Sequence, residues 1–337
     1  MSLKNYWYIA AESKQLTSKP LTVSLCGEQV CLFRPDAGKV AAVEDRCAHR
    51  NMPLSQGKIF VGCIECPYHG WRYDLAGECV HVPSLGESAK LPRHRVRAFS
   101  VREQDGFIWV YTGEDEPACE PPHFPHYGES GWTTFFMRNR FQAGIESCLE
   151  NFLDCPHTVF VHKGWFRNPD TRELKALVHS EEDEVRVEFQ GEPITKSLVS
   201  RLFFPSGKEL RHTDRFIMPN ISRVDYDFGP DRHFIIVSQC TPISEYETEV
   251  YTAITFRFGK IGGLVRWLLE PVCRKIIRQD VEVLRIQTKQ IQRFGGARFS
   301  HVETDLLGLK IHSMRRRANQ NQSPKEEETE HEIIIRF

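Results

Sequence analysis

Four residues in two short loops constrain this chain more than anything else in it. The segment DRCAHRNMPLSQGKIFVGCIECPYHGWRYD holds Cys47 and His49 as Cys-x-His, sixteen intervening residues, then Cys66 and His69 as Cys-x-x-His. Each loop offers one thiolate and one imidazole. Clamped together, the loops suit a two-iron cluster with both thiolates on one iron and both imidazoles on the other. Neutral imidazoles in place of two thiolates reduce the negative charge and raise the reduction potential, which suits one-electron relay. Pro53, Gly57, Pro67 and Gly70 shape tight loops whose backbone N–H groups can approach the cluster sulfurs. A structural zinc site could use the same Cys₂His₂ set, but that class more often opens on a cysteine–cysteine knuckle. The pair Cys63-x-x-Cys66 has the look of a redox dithiol. Because Cys63 ends an apolar strand-like run and Cys66 belongs to the second loop, the pairing reads as incidental.

The bulk properties narrow the setting. At 337 residues the chain has room for two ordinary domains with sizeable cores. A formal net charge of −1 gives no reason to expect nucleic acid or an anionic membrane as partner. The opening MSLKNYWYIAAESKQL lacks the basic start, apolar run and small-residue cleavage site of a signal peptide, and no apolar stretch is long enough to span a bilayer. A cytoplasmic location is the expectation. There, eleven cysteines do not imply a disulfide framework; Cys31 and Cys240, in apolar runs, read as small buried side chains.

Along the chain, residues 1–115 read as short strands broken by turns, with β-branched or aromatic runs at Val30–Phe33, Val40–Val43, Ile59–Ile64 and Phe107–Tyr111. A Pro- and acid-rich stretch over residues 116–131 reads as a linker. A second domain is expected over 132–312. It begins with helical spacing from Phe141 to Phe160, interrupted by Pro156. Strand candidates follow at Val185–Phe189, Ser197–Phe204, Arg215–Met218, His233–Cys240 and Glu249–Phe258. A long helix is predicted from Gly263 to Gln292, kinked or divided at Pro271. Its first part, IGGLVRWLLEPVCRKII, mixes apolar and basic residues like a membrane-surface helix, but core packing is the better reading. Residues 313–337 are polar and charged and are expected to be disordered, although the final EIIIRF is strand-like.

A second constellation sits in GIESCLENFLDCPHTVFVHKGW. Asp154 and His157, three apart, would share one face of a helix. His162 lies five beyond His157, about 140° away on an ideal helix. The two imidazoles can therefore reach one ion only if the helix ends or distorts, to which Pro156 could contribute. Two imidazoles and a carboxylate on one side of Fe(II) leave positions open for O₂ and substrate. These residues alone leave open which carboxylate completes the set.

The loops CAHRNMPLSQG and CPYHGWRYD, with the run Glu150, Asn151, Asp154, His157, His162, resemble the oxygenase component of Rieske-type non-haem iron oxygenases. The loops lack the extra cysteine pair of respiratory Rieske proteins. Asn51 stands where these oxygenases often have glycine, and asparagine tolerates the left-handed turn. The resemblance spans Tyr6 to roughly Gln290. It implies an α+β chain: an all-β Rieske [2Fe–2S] domain, then a helix-grip catalytic domain in which an antiparallel sheet and a long helix enclose a mononuclear Fe(II).

The resemblance also implies roles. Cys47, His49, Cys66 and His69 would hold the cluster. His157, His162 and a distant aspartate would hold the iron. RKIIRQDVEVLRIQTKQ makes Asp280 that aspartate, with Glu282 and Asp305 as fallbacks. Asp154 would not be a ligand. It would link an iron-bound histidine to a Rieske histidine of the neighbouring subunit, carrying electrons from His69 to His157 in a homotrimer. Glu150 and Asn151 would shape the surroundings. His179, His212, His233, His301 and His312 have no motif around them and read as structural or exposed. No flavin or nicotinamide motif is visible, so electrons would come from an external NAD(P)H-dependent reductase or ferredoxin. The expected reaction is O₂-dependent monohydroxylation or oxidative demethylation of a small organic substrate. The alternatives are ring cis-dihydroxylation, electron transfer without oxygenation, and a zinc-stabilised binding module.

Overall fold

The computed structural model describes residues 3–35, 39–86, 90–163, 165, 173–192, 210–229, 232–322 and 329–336. The chain divides into two compact units, Ser2–His123 and Phe124–Phe337, and the division falls inside the stretch read as a linker.

The first unit is built of three small antiparallel sheets. The four strands Lys58–Phe60, Cys63–Glu65, Arg72–Tyr73 and Cys79–His81 form the sheet that carries the two Cys/His loops. The run Ile59–Ile64, expected as one strand, is instead a hairpin: Phe60 pairs with Cys63, and Val61 and Gly62 both adopt positive φ at the turn. Two consecutive left-handed residues form the tight connection whose twist matches paired strands, and this overrides the β-propensity of the run. Behind the loops, Leu54, Ile64, Tyr73, Val82 and Val96 form a buried cluster that includes both Cys47 and Cys66.

The second unit is an eight-stranded antiparallel sheet. In spatial order its strands are Thr133–Phe141, Glu247–Arg257, His233–Ser244, Ile221–Asp227, Arg211–Ile217, Glu184–Gln190, Leu174–Ser180 and Thr329–Ile335. The candidate strand Ser197–Phe204 lies outside the described residues. Among the described residues four α-helices accompany the sheet: α1 (Ile145–Leu153), α2 (His157–Val161), α3 (Gly262–Arg293) and α4 (Gly308–Asn319). Ile145, Cys148, Leu149 and Leu153 of α1 and Val265, Leu269, Cys273, Ile277 and Leu284 of α3 join one core with the sheet.

Two expectations are corrected here. Helix α3 runs unbroken through Pro271. A proline deletes one backbone hydrogen bond, but Pro271 lies on the exposed side of a 32-residue helix held by its buried face. The first part of that helix packs into the core as expected, through Val265, Leu269, Cys273 and Ile277, while Leu264 and Trp267 remain exposed. No helix of the described residues is long and apolar enough to cross a membrane. Finally, the expected disordered tail contains the end of α4 and the strand Thr329–Ile335, which pairs with Leu174–Ser180. Its β-branched run alternates: Ile335 and Ile333 turn to the core while Ile334 is exposed, and that burial outweighs the polar composition before it.

Candidate metal centres

The first unit brings Cys47, His49, Cys66 and His69 to one place. Cys47 and Cys66 are 1% and 3% exposed, whereas His49 is half-buried and His69 is exposed. The thiols therefore face inward and the imidazoles outward. The His49 and His69 rings meet edge to face, 4.5 Å between centroids, and Trp71 stacks on His49 at 4.6 Å. Backbone bonds from Cys47 N–H to Met52 O and from Cys66 N–H to Trp71 O close the loops. Asn51 takes the left-handed conformation at φ 59°. Gly70 does so at φ 69°, and a Cβ there would lie 2.8 Å from Pro83 Cγ. The Tyr73 hydroxyl reaches Cys47 Sγ at 3.2 Å. Burial pushes the Cys66 thiol up and the nearby Cys47 adds to this, a cost that cationic iron reverses. Desolvation first, then His69 and Arg50, holds His49 low, which favours the neutral ligand form. His49 Nδ1 is shielded from solvent and has no hydrogen-bond partner among the described residues. Cys63 lies in the adjacent strand and is a free thiol.

In the second unit, the expectation that Asp154 and His157 share a helix face is not met. Helix α1 ends at Leu153, and Asp154 follows in extended conformation (φ −93°, ψ 98°). Pro156 disfavours helix in the residue before it and opens α2 instead. Helix α2 in turn ends at His162 (φ −105°, ψ 33°). These two breaks let both imidazoles turn to one point. From α3, Asp280 meets them: its Oδ1 lies 3.5 Å from His157 Nε2 and 3.1 Å from His162 Nε2. All three donor atoms fall within 4.8 Å of one another.

The ring tautomers are set from outside. His157 Nδ1 donates to the backbone carbonyl of Asp154, and His162 Nδ1 donates to Gln279 Oε1 at 3.0 Å. Both Nε2 lone pairs are thereby aimed inward. His157 Nε2 and Asp280 Oδ1 are buried without a hydrogen-bond partner among the described residues. A short approach without hydrogen-bond alignment is what donors aimed at a shared cation show. Burial alone would raise the Asp280 carboxyl, but His157 and His162 hold it below its ordinary range. Burial would lower His162, but Asp280 and Gln279 raise it. The cluster thus favours a positive charge at its centre, either protons or a metal ion.

The fallback residues lie elsewhere. Glu282 pairs with Arg285 on the exposed side of α3, and Asp305 accepts from Val302 N–H. Asp154 is 45% exposed, its Oδ2 3.8 Å from His157 Nδ1. Glu150 contacts His312 at 2.9 Å, and Asn151 lines a cavity with Asp154 and His157. Gln279 escaped the sequence reading; its one signal is that it immediately precedes Asp280.

His212, read from the sequence as structural or exposed, is structural. This fully buried imidazole bonds Glu192 at 2.7 Å and Asp214 at 2.9 Å, between the rings of Phe189 and Tyr226. Desolvation would lower it, but Asp214 and Glu192 push it up to about 9. A folded value above the unfolded one means this stabilisation is complete below about pH 6.5 and is lost as pH rises through about 9. The expected loss is about 3 kcal/mol. Wild type should lose thermal stability between pH 6.5 and 9, and a His212→Gln variant should show much less of that decline. Parallel pH profiles would refute the charged state.

Comparison with known proteins adds to this geometry. Residues 6–103 match the model of the Rieske [2Fe-2S] domain, and residues 141–320 match the vanillate O-demethylase oxygenase C-terminal domain. The 4beta-methylsterol monooxygenase of Methylococcus capsulatus is 36% identical over 286 residues, covering 81% of this chain and 73% of that protein. Dicamba O-demethylase of Stenotrophomonas maltophilia is 34% identical over 164 residues, 48% of each. The crystal structure of dicamba monooxygenase with 3,6-dichlorosalicylic acid superposes with a TM-score of 0.81 at 23% identity, covering 94% of this chain and 98% of that one. This last likeness concerns the fold.

Proposed function

This chain belongs to the Rieske non-haem iron oxygenases, and on that premise we propose that Cys47, His49, Cys66 and His69 hold its [2Fe–2S] cluster while His157, His162 and Asp280 hold its mononuclear Fe(II). The reaction class is O₂-dependent hydroxylation or oxidative demethylation of a small organic substrate, with reducing equivalents from a reductase. The observation that carries the ligand assignment is the convergence of His157 Nε2, His162 Nε2 and Asp280 Oδ1, two of them buried and unpartnered among the described residues.

When bound, the cluster supplies one-electron storage and the iron supplies O₂ activation. The chain's own residues orient and shield. Gln279 and the Asp154 carbonyl fix the imidazole tautomers, and Asp280 neutralises part of the ion's charge. The relatives carry the names of monooxygenases and demethylases, which favours transfer of one oxygen atom over cis-dihydroxylation. Both names specify a methylated substrate or a demethylation, so methyl-bearing organic compounds are the first to screen. A homotrimer in which Asp154 faces the neighbouring subunit's cluster, a separate ferredoxin or NAD(P)H-dependent reductase as electron source, and a cytoplasmic location complete the reading.

The assignment predicts about three irons and two acid-labile sulfides per chain, with substrate-dependent O₂ uptake once a reductase is supplied. Two irons would leave an electron carrier, and none would leave a zinc module. Two narrower outcomes are expected. Gln279→Leu should weaken Fe(II) affinity by roughly 10–100-fold, because the His162 ring loses its orienting acceptor. Chelator competition measures this, and unchanged affinity would assign Gln279 no role. Burial keeps the Tyr73 phenol protonated, so it donates to the Cys47 sulfur, which is more negative in the reduced cluster. Tyr73→Phe should therefore lower the midpoint potential by some tens of mV up to about 100 mV. A redox titration showing no shift would exclude that bond.

A further inference from the structure

A second set of two imidazoles and one carboxylate, sharing no residue with the first, lies in the same unit. Glu150 comes from α1, His301 from the segment between α3 and α4, and His312 from α4, with donor atoms within 4.8 Å of one another. The His301 and His312 rings are 5.8 Å apart at 63°. This compares with 5.2 Å and 74° for His157 and His162. His312 Nε2 approaches Glu150 Oε1 at 2.9 Å, yet it is shielded from solvent and makes no aligned hydrogen bond. That signature is shared by His157 Nε2 and Asp280 Oδ1, the atoms assigned above to metal.

The surroundings also suit a cation. Glu146 Oε2 stands 3.5 Å from His312 Nδ1, on the ring's other nitrogen, and Asp305 Oδ2 stands 3.7 Å from His301 Nδ1. For His312, with Glu150 on Nε2 and Glu146 on Nδ1, this is the arrangement of a metal-bound histidine and its orienting carboxylate. Gly308 allows the approach: a Cβ there would lie 2.8 Å from Glu150 Oε1 and 3.7 Å from His301 Nδ1. Any side chain at 308 would push the carboxylate off.

We propose that Glu150, His301 and His312 form a second, non-catalytic divalent-cation site that takes zinc and ties the segment between α3 and α4 to helix α1. Zinc accepts two imidazoles and a carboxylate with water in the fourth position. The resident competitor is a proton on His312, which Glu146 and Glu150 favour. Zinc would displace it. Because α1 ends at Asp154, and Glu150, Asp154 and His301 line one cavity of about 370 Å³, the tie would brace the wall of that cavity.

The test uses the full-length, iron-loaded protein equilibrated with zinc chloride and desalted, with zinc and iron counted by plasma mass spectrometry. Wild type should retain about one zinc per chain beyond its iron. Its thermal midpoint should rise by about 5 °C with zinc at 100-fold excess over the dissociation constant. His301→Gln and Glu150→Gln should lose the zinc and the shift while keeping their iron. His301→Cys should keep zinc, because a thiolate ligates it and a merely structural contact would not be restored. Asp280→Ala should still retain one zinc, which separates this site from the iron assignment. Zinc absent from wild type, zinc retained by His301→Gln, or zinc lost only in Asp280→Ala would each overturn the proposal.

Discussion

Asp280→Ala is expected to empty the mononuclear site while leaving the protein brown. Among the described residues Asp280 is the one carboxylate whose oxygen approaches both His157 Nε2 and His162 Nε2, and it supplies the only anionic charge of the triad. Without it two neutral imidazoles remain, and their affinity for Fe(II) does not hold the ion against dilution. Turnover should fall below about 1% of wild type, as for loss of a group acting only at the reacting centre. The four residues proposed to hold the cluster lie in the other compact unit, so its visible spectrum and acid-labile sulfide should not change. Iron per chain should drop from about three to about two. Retention of the third iron would move the ligand elsewhere, and loss of the sulfide as well would show a general folding defect.

Asp154→Asn should separate binding from turnover. The bond that orients His157 comes from the backbone carbonyl of Asp154, which the substitution leaves in place. Iron content should therefore stay within about twofold of wild type. What disappears is the carboxylate charge 3.8 Å from His157 Nδ1, on the half-exposed side of the site. Turnover is expected to fall by roughly 100-fold or more, at the upper end for groups that act through a ligand. The discriminating measurement is the rate at which the reduced cluster reoxidises with O₂ and substrate present. A wild-type rate would remove Asp154 from the electron path and return it to the role of a helix-terminating residue.

How far the chain could be read from its letters depends on how local each feature is. Cys47, His49, Cys66 and His69 lie in two tight loops, and steric rules of proline and glycine make such loops legible without neighbours. The same holds for His157 and His162, whose convergence required only that a helix end near Pro156. The reading erred where a local preference competed with a distant contact. The run Ile59–Ile64 has strand propensity throughout, and only pairing of Phe60 with Cys63 turns it into a hairpin. The last strand follows a polar stretch, and only the free edge at Leu174–Ser180 gives it a place.

The residues of the chain alone therefore determined the two kinds of metal donor, the all-β first unit and the long helix of the second, because each depends on neighbours in sequence. The family resemblance named Asp280 as the carboxylate of the proposed triad, and the tertiary structure adds that it lies beside both imidazoles. His162 and Gln279 are 117 positions apart, and no periodicity in α3 distinguishes Asp280 from the other acids on that helix. Its burial against two imidazoles does. Tertiary structure likewise buried His212 between two carboxylates and gathered Glu150, His301 and His312 from three separate elements. Ionisable groups acquire their chemistry from the dielectric and the charges around them, and those surroundings exist only once the sheet and helices have closed.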